Sequence, residues 1–172
     1  LTVVTSLPGP GFFEGSDTDP TKITSGYEYH IAQELQKAFG LKKLVIENKP
    51  FDAIVAGQVT DYDVAFSQIS ITCERAKVVQ FSTPYFQSNQ GVLVNKGTEV
   101  KTLADAKKLH WGVQTSTTAI DLLKKLGINV EMQATDWGSV VQRRGTKEPP
   151  EKGGWSIFHT WFTGGFILNP VL

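Results

Sequence analysis

The 172-residue sequence predicts an α/β protein of two lobes, each a βαβαβ sheet flanked by helices, joined by an extended hinge strand. Three observations carry this. Apolar runs of strand length alternate with helix-period segments along the chain, an order that implies parallel sheets covered by helices. A strongly apolar run at 90–95 reads as a strand leading out of the first series into the second. Hydroxyl-rich turns follow strand-like runs in both halves, at Ser67 and Ser70 and again at 115–118. Ligands of open α/β sheets sit at such carboxyl ends of strands.

Residues 1–6 read as a buried strand. Proline and glycine at 8–15 interrupt regular structure, and the polar stretch 16–25 continues the loop. Residues 27–39 form an amphipathic helix, with Ile31, Ala32, Leu35, Ala38 and Phe39 at three- and four-residue spacing and Gly40 ending it. A strand at 43–47 precedes a short helix at 51–57, with Phe51, Ile54 and Val55 on one face. The next strand is 63–69, and 74–79 holds at most two helical turns. The second series opens with a short helix at 102–107 and a strand at 111–114. Residues 115–118 cap a helix at 119–126 that Gly127 ends. A strand at 128–134, a helix at 136–144, a loop at 147–154 and a strand at 155–162 complete the pattern. The lobes fall at 1–90 and 97–172, with 91–96 as the hinge strand, and the second lobe shows no evident return to the first.

Lys+Arg and Asp+Glu both number 17, so the formal net charge is zero. A nucleic-acid partner would need a basic stripe, and none is present. No apolar run approaches the roughly 20 residues that span a bilayer. No leader pattern opens the chain, so an exported protein would already have lost its signal. Cys73 is alone and cannot form an intrachain disulfide. It also lacks a neighbouring His or Cys to activate it. His30, His110 and His159 lack metal-ligand spacing, and Gly9 and Gly11 lack the strand–GxGxxG–helix context. No metal or cofactor is expected.

The chemistry concentrates at 67–75. Arg75 offers a planar, permanently charged fork that matches a carboxylate in two hydrogen bonds. The hydroxyl of Ser70 and free N–H groups at a strand end would complete such a cradle. The competing reading is a surface arginine capping a helix. Thr117 and Thr118 open a helix whose exposed N–H groups favour an anion, and plain capping is the alternative. Glu28 and Tyr29 read as surface or cleft-edge residues without a chemical role.

Several motifs in matching order carry a resemblance. Gly26-Tyr27-Glu28-Tyr29 leads to Ile31-Ala32 and Leu35. Then come Ser70-Ile71-Thr72-x-Glu74-Arg75, Phe81-Ser82-x-Pro84-Tyr85, and Trp111-Gly112-Val113-Gln114 before Thr117-Thr118. Over residues 1–126 the chain resembles the polar amino-acid solute-binding proteins of ABC importers, with the periplasmic-binding fold. Residues 128–170 resemble the peptide and oligopeptide solute-binding family instead, through 130–144 and 147–161. The chain therefore looks like a hybrid spliced near 126–128, or an incompletely read sequence.

The resemblance implies that Arg75 pairs with a ligand α-carboxylate and that Ser70 adds a hydroxyl to it. Ser67 or the Gln68 backbone would face the ligand amine. Phe51 would stack on the ligand, with helix-face burial as the equal alternative. Phe12 would help close the site. The family places an aspartate near the position of 159–161 to hold the α-ammonium, and this chain has no carboxylate there. Trp161 would supply an apolar or cation–π wall instead. The implied function is capture of a small polar amino acid or short peptide between lobes, for a membrane permease, in the periplasm or outside the cell. The protein would be a monomer or a swapped dimer, since an unpaired sheet edge invites exchange. The alternatives are a recombined hybrid with little or no binding, a receptor-type sensing domain, and a dehydratase-like enzyme on the same scaffold. An enzyme would need a general acid or base, for which only Glu14, Glu74 and His159 stand as candidates.

Overall fold

The computed structural model describes residues 1–94, 97–130, 137–146, 148, 152 and 157–160. These form two compact units, the first built on Leu1–Thr83 and the second beginning at Pro84.

The first unit holds strand β1 (Thr2–Thr5), helix α1 (Tyr27–Ala38), strand β2 (Val45–Asn48), helix α2 (Phe51–Val55) and strand β3 (Val64–Ala65). Its sheet is parallel, in the order β2-β1-β3. Thr2 lies opposite Val45, and Val3 opposite both Ile46 and Val64. The central strand is covered on both sides, which is why Val3 and Val4 are fully buried. Phe12, Phe13, Ile23, Ala32, Ile54 and Phe66 complete this core. β1 neighbours both later strands, so the chain reverses its lateral direction between β1 and β3. Parallel sheets open a crevice at that point, outside the strands' carboxyl ends.

Helix α1 begins without a side-chain cap at Gly26. The long loop before it supplies the acceptors. The N–H of Tyr27 donates to the Gly11 carbonyl at 3.0 Å, and that of Tyr29 to the Phe12 carbonyl at 3.2 Å. The helix ends as the sequence predicts. Gly40, at φ 63°, donates to the Lys37 carbonyl, and Leu41 donates to that of Gln36. The predicted apolar face is shifted, however. Phe39 is 71 % exposed, whereas Glu28 and Ala32 are fully buried. Glu28 is therefore a core residue and not the surface residue that its charge suggests.

The second unit holds β4 (Gly91–Val94), α3 (Leu103–Ala106), β5 (Trp111–Gly112), α4 (Thr118–Lys125) and β6 (Ile157–Thr160), and α5 (Trp137–Arg144) precedes β6 in the chain. The sheet order is β4-β6-β5. β5 runs parallel to β6, but β4 runs antiparallel to it, with Val92 opposite His159. The expected all-parallel sheet is thus mixed. The paired residues of β4 and β6, such as Val92 and His159, lie far apart in the chain, so no local pattern sets the direction in which the two strands meet. The segment expected to join the lobes is, over Gly91–Val94, a ladder strand of this sheet.

Leu123, 1 % exposed, anchors α4 with Ala119 and Ile120. Gly127 and Ile128 close that helix on the carbonyls of Lys124 and Leu123. The strand expected at 128–134 is not formed over 128–130, where Ile128 turns back onto α4, and its remainder lies outside the described residues. No helix among the described residues is long and apolar enough to cross a membrane.

Candidate functional site

At the switch point of the first sheet, the carboxyl ends of β1 and β3 are tied together. The N–H of Ser6 donates to Ser67 Oγ at 3.0 Å, in a buried bond. Ser67 is 4 % exposed, so its hydroxyl holds the two strand ends in register. The next residue, Gln68, sits in the left-handed region at φ 48°. A residue with a side chain adopts that conformation only when its surroundings hold it there.

Glu28 does the holding. Its Oε1 accepts the Gln68 N–H at 2.9 Å, and its Oε2 accepts the Gln68 side-chain amide. The backbone N–H of Gln68 is therefore committed to Glu28. Sequence reasoning missed Glu28, but a signal was present. It lies one turn before Ala32 and two before Leu35, on the buried stripe of α1.

Arg75 follows at the start of a 3-10 turn, Arg75–Lys77. It is 9 % exposed, so it is not the surface arginine of the competing reading. Its Nη1 donates to the Ser70 carbonyl at 2.8 Å, and its backbone N–H donates to Thr72 Oγ1 at 3.2 Å. The guanidinium carbon lies 5.4 Å from the centroid of the Phe51 ring, within cation–π range. Phe51, half-buried, is the first residue of α2. The ring and the Ser70–Thr72 turn together fix the plane of the fork. Ser70 itself is exposed.

The structure thus gathers Ser67, Gln68, Ser70, Phe51 and Arg75 in the first unit. Phe12 has a different place. It is 2 % exposed and meets the Tyr27 ring edge-on at 5.9 Å, in the core under the start of α1. Thr117 and Thr118 belong to the second unit. Thr117 is the N-cap of α4, yet its hydroxyl donates to the Gln114 carbonyl at 2.7 Å and makes no cap bond. Thr118 Oγ1 accepts from the Gln90 side-chain amide at 3.2 Å. Trp161 lies outside the described residues.

The acid–base candidates have local roles. Glu14 is exposed and accepts the Gly11 N–H. Glu74 is exposed and pairs with Lys77 at 2.6 Å. His159 lies in β6. Among the described residues, no cluster of three His, Cys, Asp or Glu could hold a metal ion.

Residues 13–120, well over half of the chain, match the bacterial extracellular solute-binding proteins, family 3. The L-cystine-binding protein of Escherichia coli is 32 % identical over 140 residues, which are 78 % of this chain and 51 % of that protein. The chain thus spans about half the length of that relative. A solved ancestral arginine-binding protein bound to glutamine is 29 % identical, with a TM-score of 0.74. That match covers 94 % of this chain and 68 % of the other, and it bears out an α/β periplasmic-binding fold. A probable peptide ABC transporter periplasmic-binding protein of Sinorhizobium fredii is 36 % identical, but over only 52 residues, 29 % of this chain and 10 % of that protein. The matched span 13–120 contains Glu28, Phe51, the Ser67–Arg75 turn and the threonines of α4, and on that match the chain belongs to the bacterial extracellular solute-binding proteins, family 3.

Proposed function

We propose that the chain is the amino-acid-binding component of an ABC importer, and that it takes the α-carboxylate of a small polar amino acid on Arg75. The observation that carries this is the buried guanidinium, its plane held by the Ser70 carbonyl and the Phe51 ring, at the carboxyl edge of a parallel sheet. A fork fixed in this way loses little further freedom on pairing bidentately with a carboxylate. The described amino-acid specificities of the relatives, L-cystine in one and arginine or glutamine in others, support the solute class.

In this reading Ser70 adds its hydroxyl to the carboxylate, and Ser67 or the Gln68 backbone faces the amine. With the Gln68 N–H given to Glu28, its carbonyl is the group suited to an ammonium. Phe51 stacks on the solute. Thr117 and Thr118 offer hydroxyls, and Trp161 an apolar wall. The two-lobe arrangement, with lobes at 1–90 and 97–172 and a hinge at 91–96, belongs to the proposal. So do a membrane permease as partner and a periplasmic or extracellular location.

Calorimetric titration with the common L-amino acids, L-cystine and a set of dipeptides tests it. One or more free amino acids should bind. Arg75→Ala should cost about 2–5 kcal/mol of that affinity. Arg75→Lys should recover only part, since it restores the charge without the fork. Unchanged affinity in Arg75→Ala would remove the proposal's basis.

A second reading has one observation in its favour, the 52-residue match to a peptide-binding protein. On this reading residues 128–170 derive from the peptide-binding family, and the chain is a hybrid with weakened capture. Peptide sequencing across Leu126-Gly127-Ile128 on protein from its natural source tests the join. Failure to find a spanning peptide, together with tight amino-acid binding, would exclude it.

A further inference from the structure

We infer that Glu28 is a positioning residue for the binding turn: it holds Gln68 at positive φ and thereby sets the direction in which Gln68 to Ser70 face the solute. The inference rests on the proposed site and adds a residue that the site's own chemistry does not require. Four observations converge. Glu28 is fully buried, and a buried carboxylate is stable only where its oxygens are satisfied. Both of its oxygens accept from one residue, Gln68, through the backbone N–H and the side-chain amide. Gln68 is one of only two non-glycine residues with positive φ in the chain's described part, so its conformation needs an external hold. The start of α1 is itself pinned, by the Gly11 and Phe12 carbonyls, so Glu28 cannot drift with a fraying helix end.

The left-handed residue lies between the Ser67 tie to β1 and the Ser70 carbonyl that orients Arg75. A change of φ at Gln68 would therefore swing Ser70 relative to the sheet and disturb the fork. Glu28 acts on the solute through Gln68 without needing to touch it.

Glu28→Met tests this, because it removes both acceptors and keeps the side chain's length. L-arginine, L-glutamine and L-cystine serve as probes, and NMR backbone shifts with three-bond HN–Hα couplings report φ at residue 68. Glu28→Met should abolish the positive-φ signature and weaken the tightest-binding probe about tenfold or more, the scale of a lost buried hydrogen-bond pair. Adding Gln68→Gly should restore both, since glycine holds positive φ unaided. Glu28→Gln, with one acceptor kept, should fall between. If Glu28→Met lowers the melting temperature but leaves φ at Gln68 and the affinity of the folded protein unchanged, Glu28 is only a core residue and the inference is overturned. Failure of Gln68→Gly to restore the turn also overturns it. If the unaltered chain binds none of the three probes, the proposed function fails for them. The couplings at residue 68 then still decide the role of Glu28.

Discussion

Arg75 and Glu28 are opposite charges buried in one unit, and each is handled differently. Arg75 is satisfied by a carbonyl and an aromatic face, which leaves the fork's direction fixed. Glu28 is satisfied by amide donors, which fixes a backbone torsion instead. Thr5 shows the contrary case. Its Oγ1 is fully buried in β1 without a hydrogen-bond partner. Thr5→Val replaces that hydroxyl with a methyl of similar size, so it should stabilise the protein by about 1 kcal/mol, read as a rise of a few degrees in Tm. A fall in Tm would show that the hydroxyl does find a partner. At this scale Arg75 was legible because its chemistry is carried by its residue type. Glu28 was not, because a glutamate's charge argues for the surface until its helix face is known.

At the scale of elements, the start of α1 depends on a close approach. A Cβ built on Gly26, at φ 118°, would lie 2.2 Å from the Phe12 carbonyl oxygen. Gly26→Ala should therefore cost about 1–3 kcal/mol through strain and lost capping, measurable by denaturant unfolding. It should also displace Glu28 and weaken solute binding. A cost near zero would mean that the loop yields freely. Helix α3 begins with a reciprocal capping box between Thr102 and Asp105. The Thr102 hydroxyl and backbone N–H hold the Asp105 carboxyl below its ordinary value of 3.8. A lowered folded value means that the box's contribution is present above the ordinary carboxylate range and is lost as pH falls through Asp105's own titration. NMR titration should find Asp105 below 3.8, and Thr102→Ala should bring it back up. Strand ends were less legible than helix ends. The sequence predicts a strand over 63–69, yet β3 stops at Ala65, because only Val3 and Val4 of β1 face it.

At the scale of the molecule, the two units have separate cores, one around Val3, Val4 and Ile54, the other around Leu123, Ala119 and Ile120. Leu123→Ala should cost about 2–5 kcal/mol of second-unit stability by opening a cavity. Native-state hydrogen exchange should show that loss in α4 while the β1 amides keep their protection. Equal loss in both would mean that the units unfold as one. The sequence by itself determined the α/β class, the position and ends of the long helices, and the residue type that would meet a carboxylate. These follow from local periodicity, from capping glycines and from guanidinium chemistry, all of which act within a few residues. Only the tertiary structure decided that β4 joins its sheet antiparallel, that Glu28 is buried, and that Gln68 turns left-handed to meet it. Each of these depends on residues about 40 or more apart in the chain, and no local pattern encodes which distant partner will satisfy a buried group.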